Sequence, residues 1–129
     1  MTTETTQDKI WGWLTAVDMA GCAPDTINDP AHIEEFVRTM VREIDMVPIG
    51  DPIVRWCDTH DPAKVGWTFF QILQDSHIAG HLCSDSNCGY FDVFSCKPYE
   101  PYVVLDVTRK FFEPKHIRHQ VIERIEHAL

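Results

Sequence analysis

Between residues 29 and 44 the apolar side chains recur with a helical period. Ile33, Phe36, Val37, Met40, Val41 and Ile44 fall at steps of three and one, and so line one face of a helix. Asp29 can cap that helix, with Pro30 at the first helical position, where its missing N–H is not needed. A helix with a single apolar stripe must lay it on another layer, and most of the remaining apolar segments read as strands. Residues 10–17 and 65–73 are rich in Trp, Thr, Val and Phe, the residues that suit a pleated, half-buried surface. Shorter strands are expected at 53–56, 78–82 and 90–94, the last two separated by a turn of Ser, Asp and Asn at 84–89. Pro98 and Pro101 can open a second helix at 102–112, against the preference of its Val-Val pair, and Pro114 ends it. Residues 116–129 alternate like a strand but also keep a four-residue helical step, and we expect a strand from about His116 that decays into a tail. The expected fold is α+β, a two-layer sandwich whose mostly antiparallel sheet carries two helices on one face. A polar leader, 1–9, precedes a single domain, 10–129, of ordinary domain size.

Twenty acidic against eleven basic side chains give a net charge of −9, which repels nucleic-acid phosphates and anionic membrane surfaces. No apolar run approaches the roughly 18–20 residues of a membrane helix, and a cytoplasmic location is expected. Five cysteines, an odd number, argue for reduced thiols rather than a disulfide framework. His77, His81, Cys83, Cys88 and Cys96 crowd into a twenty-residue window. Zinc is the bland chemical reading of such a set, but no paired CxxC is present and alternate strand residues point to opposite faces, so no metal is expected.

Within that window Asp75-Ser76-His77 falls at a strand junction, His81 follows Ser76 by five residues and Cys96 follows it by twenty. The run Gly89-Tyr90-Phe91-Asp92-Val93-Phe94-Ser95-Cys96 leads into the cysteine. This arrangement resembles the bacterial and archaeal S-adenosylmethionine decarboxylases, in which a Glu-Ser-His triplet is followed by a histidine and a cysteine at the same distances. The resemblance implies a proenzyme that cuts itself between Asp75 and Ser76 and converts the serine into a covalently bound pyruvoyl group. Ser76 Oγ would attack the Asp75 carbonyl and exchange the amide for an ester. His81 would remove the serine α-proton to expel that ester. Thr68, eight residues before the cut, holds the place of the family's processing hydroxyl.

The pyruvoyl ketone would then condense with the substrate amine and act as electron sink for decarboxylation. Cys96 holds the family's place for the proton donor, and Asp85 that of the carboxylate on the substrate ribose. Trp56, His60 and Trp67 are candidates for stacking on the adenine. Asp75 stands where the family carries glutamate, and Lys97 follows Cys96 where a glycine is common. The resemblance further implies a homodimer with the open sheet faces packed together and a role in spermidine biosynthesis. Two other readings stay open: a pyruvoyl-dependent arginine or ornithine decarboxylase, and a non-processing homologue that serves as a binding or regulatory subunit.

Overall fold

The computed structural model describes residues 9–126. Among them, six strands form one antiparallel sheet in the order β2-β3-β4-β5-β1-β6. In chain order the elements are β1 (Lys9–Ala20), α1 (Pro24–Ile27), α2 (Pro30–Glu43), β2 (Ile53–Cys57), β3 (Gly66–Leu73), β4 (Ser76–Cys83), β5 (Cys88–Ser95), α3 (Pro101–Phe112) and β6 (His116–Glu126). A 3-10 turn, Pro62–Lys64, sits between β2 and β3.

Helix α2 starts as its sequence dictates. Asp29 Oδ1 accepts from the Ala31 amide at 3.0 Å, and Pro30 occupies the first turn. Its buried stripe is Ile33, Phe36, Val37, Met40 and Val41. Helix α3 buries Val104, Leu105, Val107, Phe111 and Phe112 on the same side of the sheet, and this burial outweighs the weak helical preference of its valines. Against the two helices the sheet sets Val17, Met19, Phe69, Leu73, Ile78, Leu82, Phe91 and Val93. Phe36 is the hub, with ring centroids 5.9 Å from Phe69, 5.5 Å from Phe91, 5.8 Å from Phe111 and 4.6 Å from Phe112.

The other sheet face carries no helix among the described residues. Register places Thr68, Phe70 and Ile72 of β3 there, beside His77, Ala79 and His81 of β4 and Tyr90, Asp92 and Phe94 of β5. Ile72 and Tyr90 are 45% and 52% exposed, so this half of the sandwich lies open to solvent.

The α+β two-layer arrangement is the expected one, with differences in detail. β1 is longer than 10–17 at both ends because it lies between two partners, β5 and β6. The expected loop after it contains the single turn α1. The expected strand at 78–82 begins earlier, at Ser76, which pairs with Leu73 across a two-residue turn. β6 is a strand throughout its described length, since its pairing with β1 runs from Ala20↔His116 to Lys9↔Glu126 and settles the competing periods. The rest of the expected leader, 1–8, and the tail, 127–129, lie outside the described residues.

Candidate active site

The turn from β3 to β4 consists of Gln74 and Asp75, and Asp75 adopts φ 59°. Left-handed backbone costs a residue with a Cβ on the order of 1–2 kcal/mol, and aspartate is among the residues that bear it best. The residue whose carbonyl would be attacked is therefore the strained one. Ser76, 9% exposed, begins β4 on the helix-facing side. Its Oγ accepts from the Cys96 amide at 3.1 Å and donates to Asp75 Oδ1 at 3.5 Å. The Cys96 thiol donates to the same Oδ1 at 2.9 Å.

Cys96 is presented by a turn just beyond β5. Buried Ser95 closes that turn through its hydroxyl, which donates to the Lys97 carbonyl at 2.6 Å and accepts from the Lys97 amide at 3.0 Å. Lys97 Nζ then reaches both the carbonyl and the carboxylate of Asp45, each at 2.7 Å, tying the turn to the end of α2. The hydrogen bond to Asp75, and after it burial, push the Cys96 thiol above its ordinary 9.0. At neutral pH this sulfur holds a proton, the state a proton donor requires.

A second cluster lies on the open face. Thr68 and His81 are cross-strand partners, and Thr68 Oγ1 sits 2.8 Å from His81 Nδ1. His81 Nε2 donates to the Lys64 carbonyl at 2.5 Å, so in the neutral ring Nδ1 is the basic nitrogen and the threonine hydroxyl donates to it. Cys57 donates to Thr68 Oγ1 at 3.3 Å. His81 lies five residues beyond Ser76 along β4, roughly 16 Å at the rise of a strand, and on the opposite face.

The structure thus brings together Asp75, Ser76 and Cys96, and separately Thr68 and His81. The remaining candidates stand away from Ser76. Asp85 is exposed in the β4–β5 turn, at the His81 end of β4. Trp56 and Trp67 pair across β2 and β3 near that same end, with centroids 5.3 Å apart and rings at 73°. Trp67 packs against the core and its buried Nε1 has no hydrogen-bond partner, while Trp56 is 45% exposed and donates to Asp58 at 3.0 Å. His60 is exposed in the loop between them. Among the described residues, no three His, Cys, Asp or Glu side chains converge as metal ligands.

The sequence reading missed an aromatic row next to Ser76. On the open face the His77 ring lies between Phe70 at 6.2 Å and Phe94 at 5.5 Å, and Trp11 stacks on Phe94 at 5.8 Å with an angle of 12°. The Arg124 guanidinium sits 5.8 Å from the Phe94 ring centroid. Period-two spacing puts Phe70 and Ile72 on one face, but only the register across three strands reveals the row. Beyond it, Thr68, His81, Tyr90 and Asp92 line a shallow depression of about 360 Å³. Cys57 and Lys64, which hold the Thr68–His81 pair, had no signal in the sequence.

Residues 13–125 match the family of S-adenosylmethionine decarboxylases. The chain belongs to that family. It is a carboxy-lyase by that membership. It is 24% identical over 114 residues to the S-adenosylmethionine decarboxylase proenzyme of Pyrococcus furiosus, a match covering 88% of this chain and 78% of that protein. Its fold is that of the adenosylmethionine decarboxylase from Aquifex aeolicus VF5, with a TM-score of 0.76, 24% identity and 94% of each chain covered. The family match spans both clusters, since it runs from β1 into β6.

Proposed function

We propose that the chain is a proenzyme that cuts itself between Asp75 and Ser76 and, as a homodimer, decarboxylates S-adenosylmethionine in spermidine biosynthesis. The observation that carries this reading is the Ser76 hydroxyl, held by the Cys96 amide beside the strained Asp75, in a chain of this family. Ser76 Oγ attacks the Asp75 carbonyl, and the C–N bond gives way to an ester. Loss of the Ser76 α-proton to His81 then expels the carboxylate of residue 75. The dehydroalanine so formed would tautomerise to an imine and, taking up water and releasing ammonia, leave a pyruvoyl group at position 76, whose ketone would take the substrate amine and accept electrons as carbon dioxide departs.

The side chains around Ser76 suit that group. Cys96 lies one amide away with a proton on its sulfur, ready to be given to the carbon that loses carbon dioxide. His81 cannot serve the Ser76 of its own chain at roughly 16 Å. A second copy packed on the open sheet face supplies it, with Thr68 orienting the imidazole through its hydroxyl. The same copy brings Asp85, which sits at the His81 end of β4 and there accepts from the ribose hydroxyls. Exposed Trp56 offers a ring to the adenine; Trp67 supports it from the core side.

Intact mass under denaturing, reducing conditions tests the reading, with Ser76→Ala as control. Two fragments are expected, 1–75 and 76–129, the second with a blocked amino terminus, and only an uncut chain from the variant. A wild-type chain that stays whole through long incubation would overturn self-processing and favour a binding or regulatory homologue.

A further inference from the structure

We propose that the side-chain carboxylate of Asp75, and not only its carbonyl, is a catalytic group of the processing reaction: it takes the Ser76 Oγ proton and holds the proton of Cys96. The proposal rests on the self-processing reading above. Its basis is a closed set of three hydrogen bonds. Ser76 Oγ points its one proton at Asp75 Oδ1, 3.5 Å away, and gives one lone pair to the Cys96 amide at 3.1 Å. That leaves its other lone pair free for attack. The Cys96 thiol completes the set by donating to the same Oδ1 at 2.9 Å.

No other base among the described residues is placed to do this. His77 is turned to the open face between Phe70 and Phe94. Lys97 is bound to Asp45. His81 lies at the far end of β4, bonded to Thr68 and Lys64. The step balances within the chain. As the bond from Oγ to the Asp75 carbonyl carbon forms and the bond from that carbon to the Ser76 nitrogen breaks, the hydroxyl proton passes to Oδ1. From there it goes to the leaving nitrogen, which departs as an amine. Asp75 Oδ1 has then given up the proton it took and can accept again from Cys96.

Asp75→Asn tests both roles. Asparagine keeps the shape of the side chain and tolerates a left-handed backbone as well as aspartate does, so the turn is retained. Cutting is followed by intact mass after a pulse of cell-free synthesis. Wild type and Asp75→Glu are expected to cut, and Asp75→Asn to cut at least about 100-fold more slowly, the lower end of general acid–base contributions. The thiol is read in uncut chains, Ser76→Ala against Ser76→Ala with Asp75→Asn, by the pH profile of iodoacetamide modification at the Cys96 peptide. A carboxylate beside the sulfur disfavours the thiolate, so its removal moves the midpoint to lower pH. Asp75→Asn cutting at the wild-type rate overturns the base role, and an unmoved Cys96 midpoint overturns the thiol clamp. If the wild type never cuts, the base role falls with the proposed function, while the midpoint shift still decides whether Asp75 holds the Cys96 proton.

Discussion

Gly80 faces Phe69 and Phe91 across its two neighbouring strands, on the helix side of the sheet. A Cβ there would come within 2.3 Å of Phe91 Cβ and 2.6 Å of Phe69 Cζ, and neither atom is the loose end of a flexible chain. Both rings pack on Phe36, so relief at one point displaces the hub. Gly80→Ala is therefore expected to lower stability by about 1–3 kcal/mol, the usual range for overpacking, read as an earlier midpoint in urea. An unchanged midpoint would mean that the aromatic hub is looser than these contacts describe. The same scale explains how the site is held. The Lys97–Asp45 pair is exposed and contributes little to stability, yet with the Ser95 hydroxyl it fixes where the Cys96 sulfur points.

At the scale of elements, stability and site depend on one layer contact. α2 presents Phe36 to four aromatic rings from β3, β5 and α3, and Phe36→Ala removes all four contacts at once. The expected cost is about 3–5 kcal/mol, measured by chemical denaturation in the Ser76→Ala background, where the proposed cut cannot occur. A cost below about 1 kcal/mol would place the core elsewhere. The elements themselves were legible wherever local physics decides: the Asp29–Pro30 start of α2, its apolar stripe, and the meander of β3, β4 and β5. What stayed hidden depends on pairing. The length of β1 and the straightness of β6 come from partners distant in sequence, and so does the aromatic row of Phe70, His77 and Phe94. For the site, the spacing of Asp75, Ser76 and Cys96 translated into contact because a two-residue turn and a strand end meet. The spacing of Ser76 and His81 did not, because five residues of strand reverse the face and span the sheet.

For the whole molecule this separation has a consequence that a mixing experiment can read. If the proton taken from Ser76 goes to the His81 of another copy, the two defects Ser76→Ala and His81→Ala complement each other. The first chain keeps a sound His81 but has nothing to cut; the second keeps Ser76 but lacks the base. Neither variant is expected to cut when made alone. Co-synthesised in equal amounts, they are expected, under the proposed dimer, to give mixed pairs in which the His81→Ala chain meets a working His81, and fragments of that chain alone are expected, distinguishable by mass. Random pairing makes about half of the dimers mixed, so up to about half of the His81→Ala chains can be cut. The open sheet face offers a place for such packing, since Ile72 and Tyr90 lie on it at 45% and 52% exposure with no helix above them among the described residues. Complete absence of fragments from the mixture, with dimers shown by sedimentation, would exclude a shared site and return His81 to a structural role beside Thr68. Cutting of the His81→Ala chain alone would remove His81 from the reaction and leave Asp75 as the base that the Ser76 hydroxyl already faces.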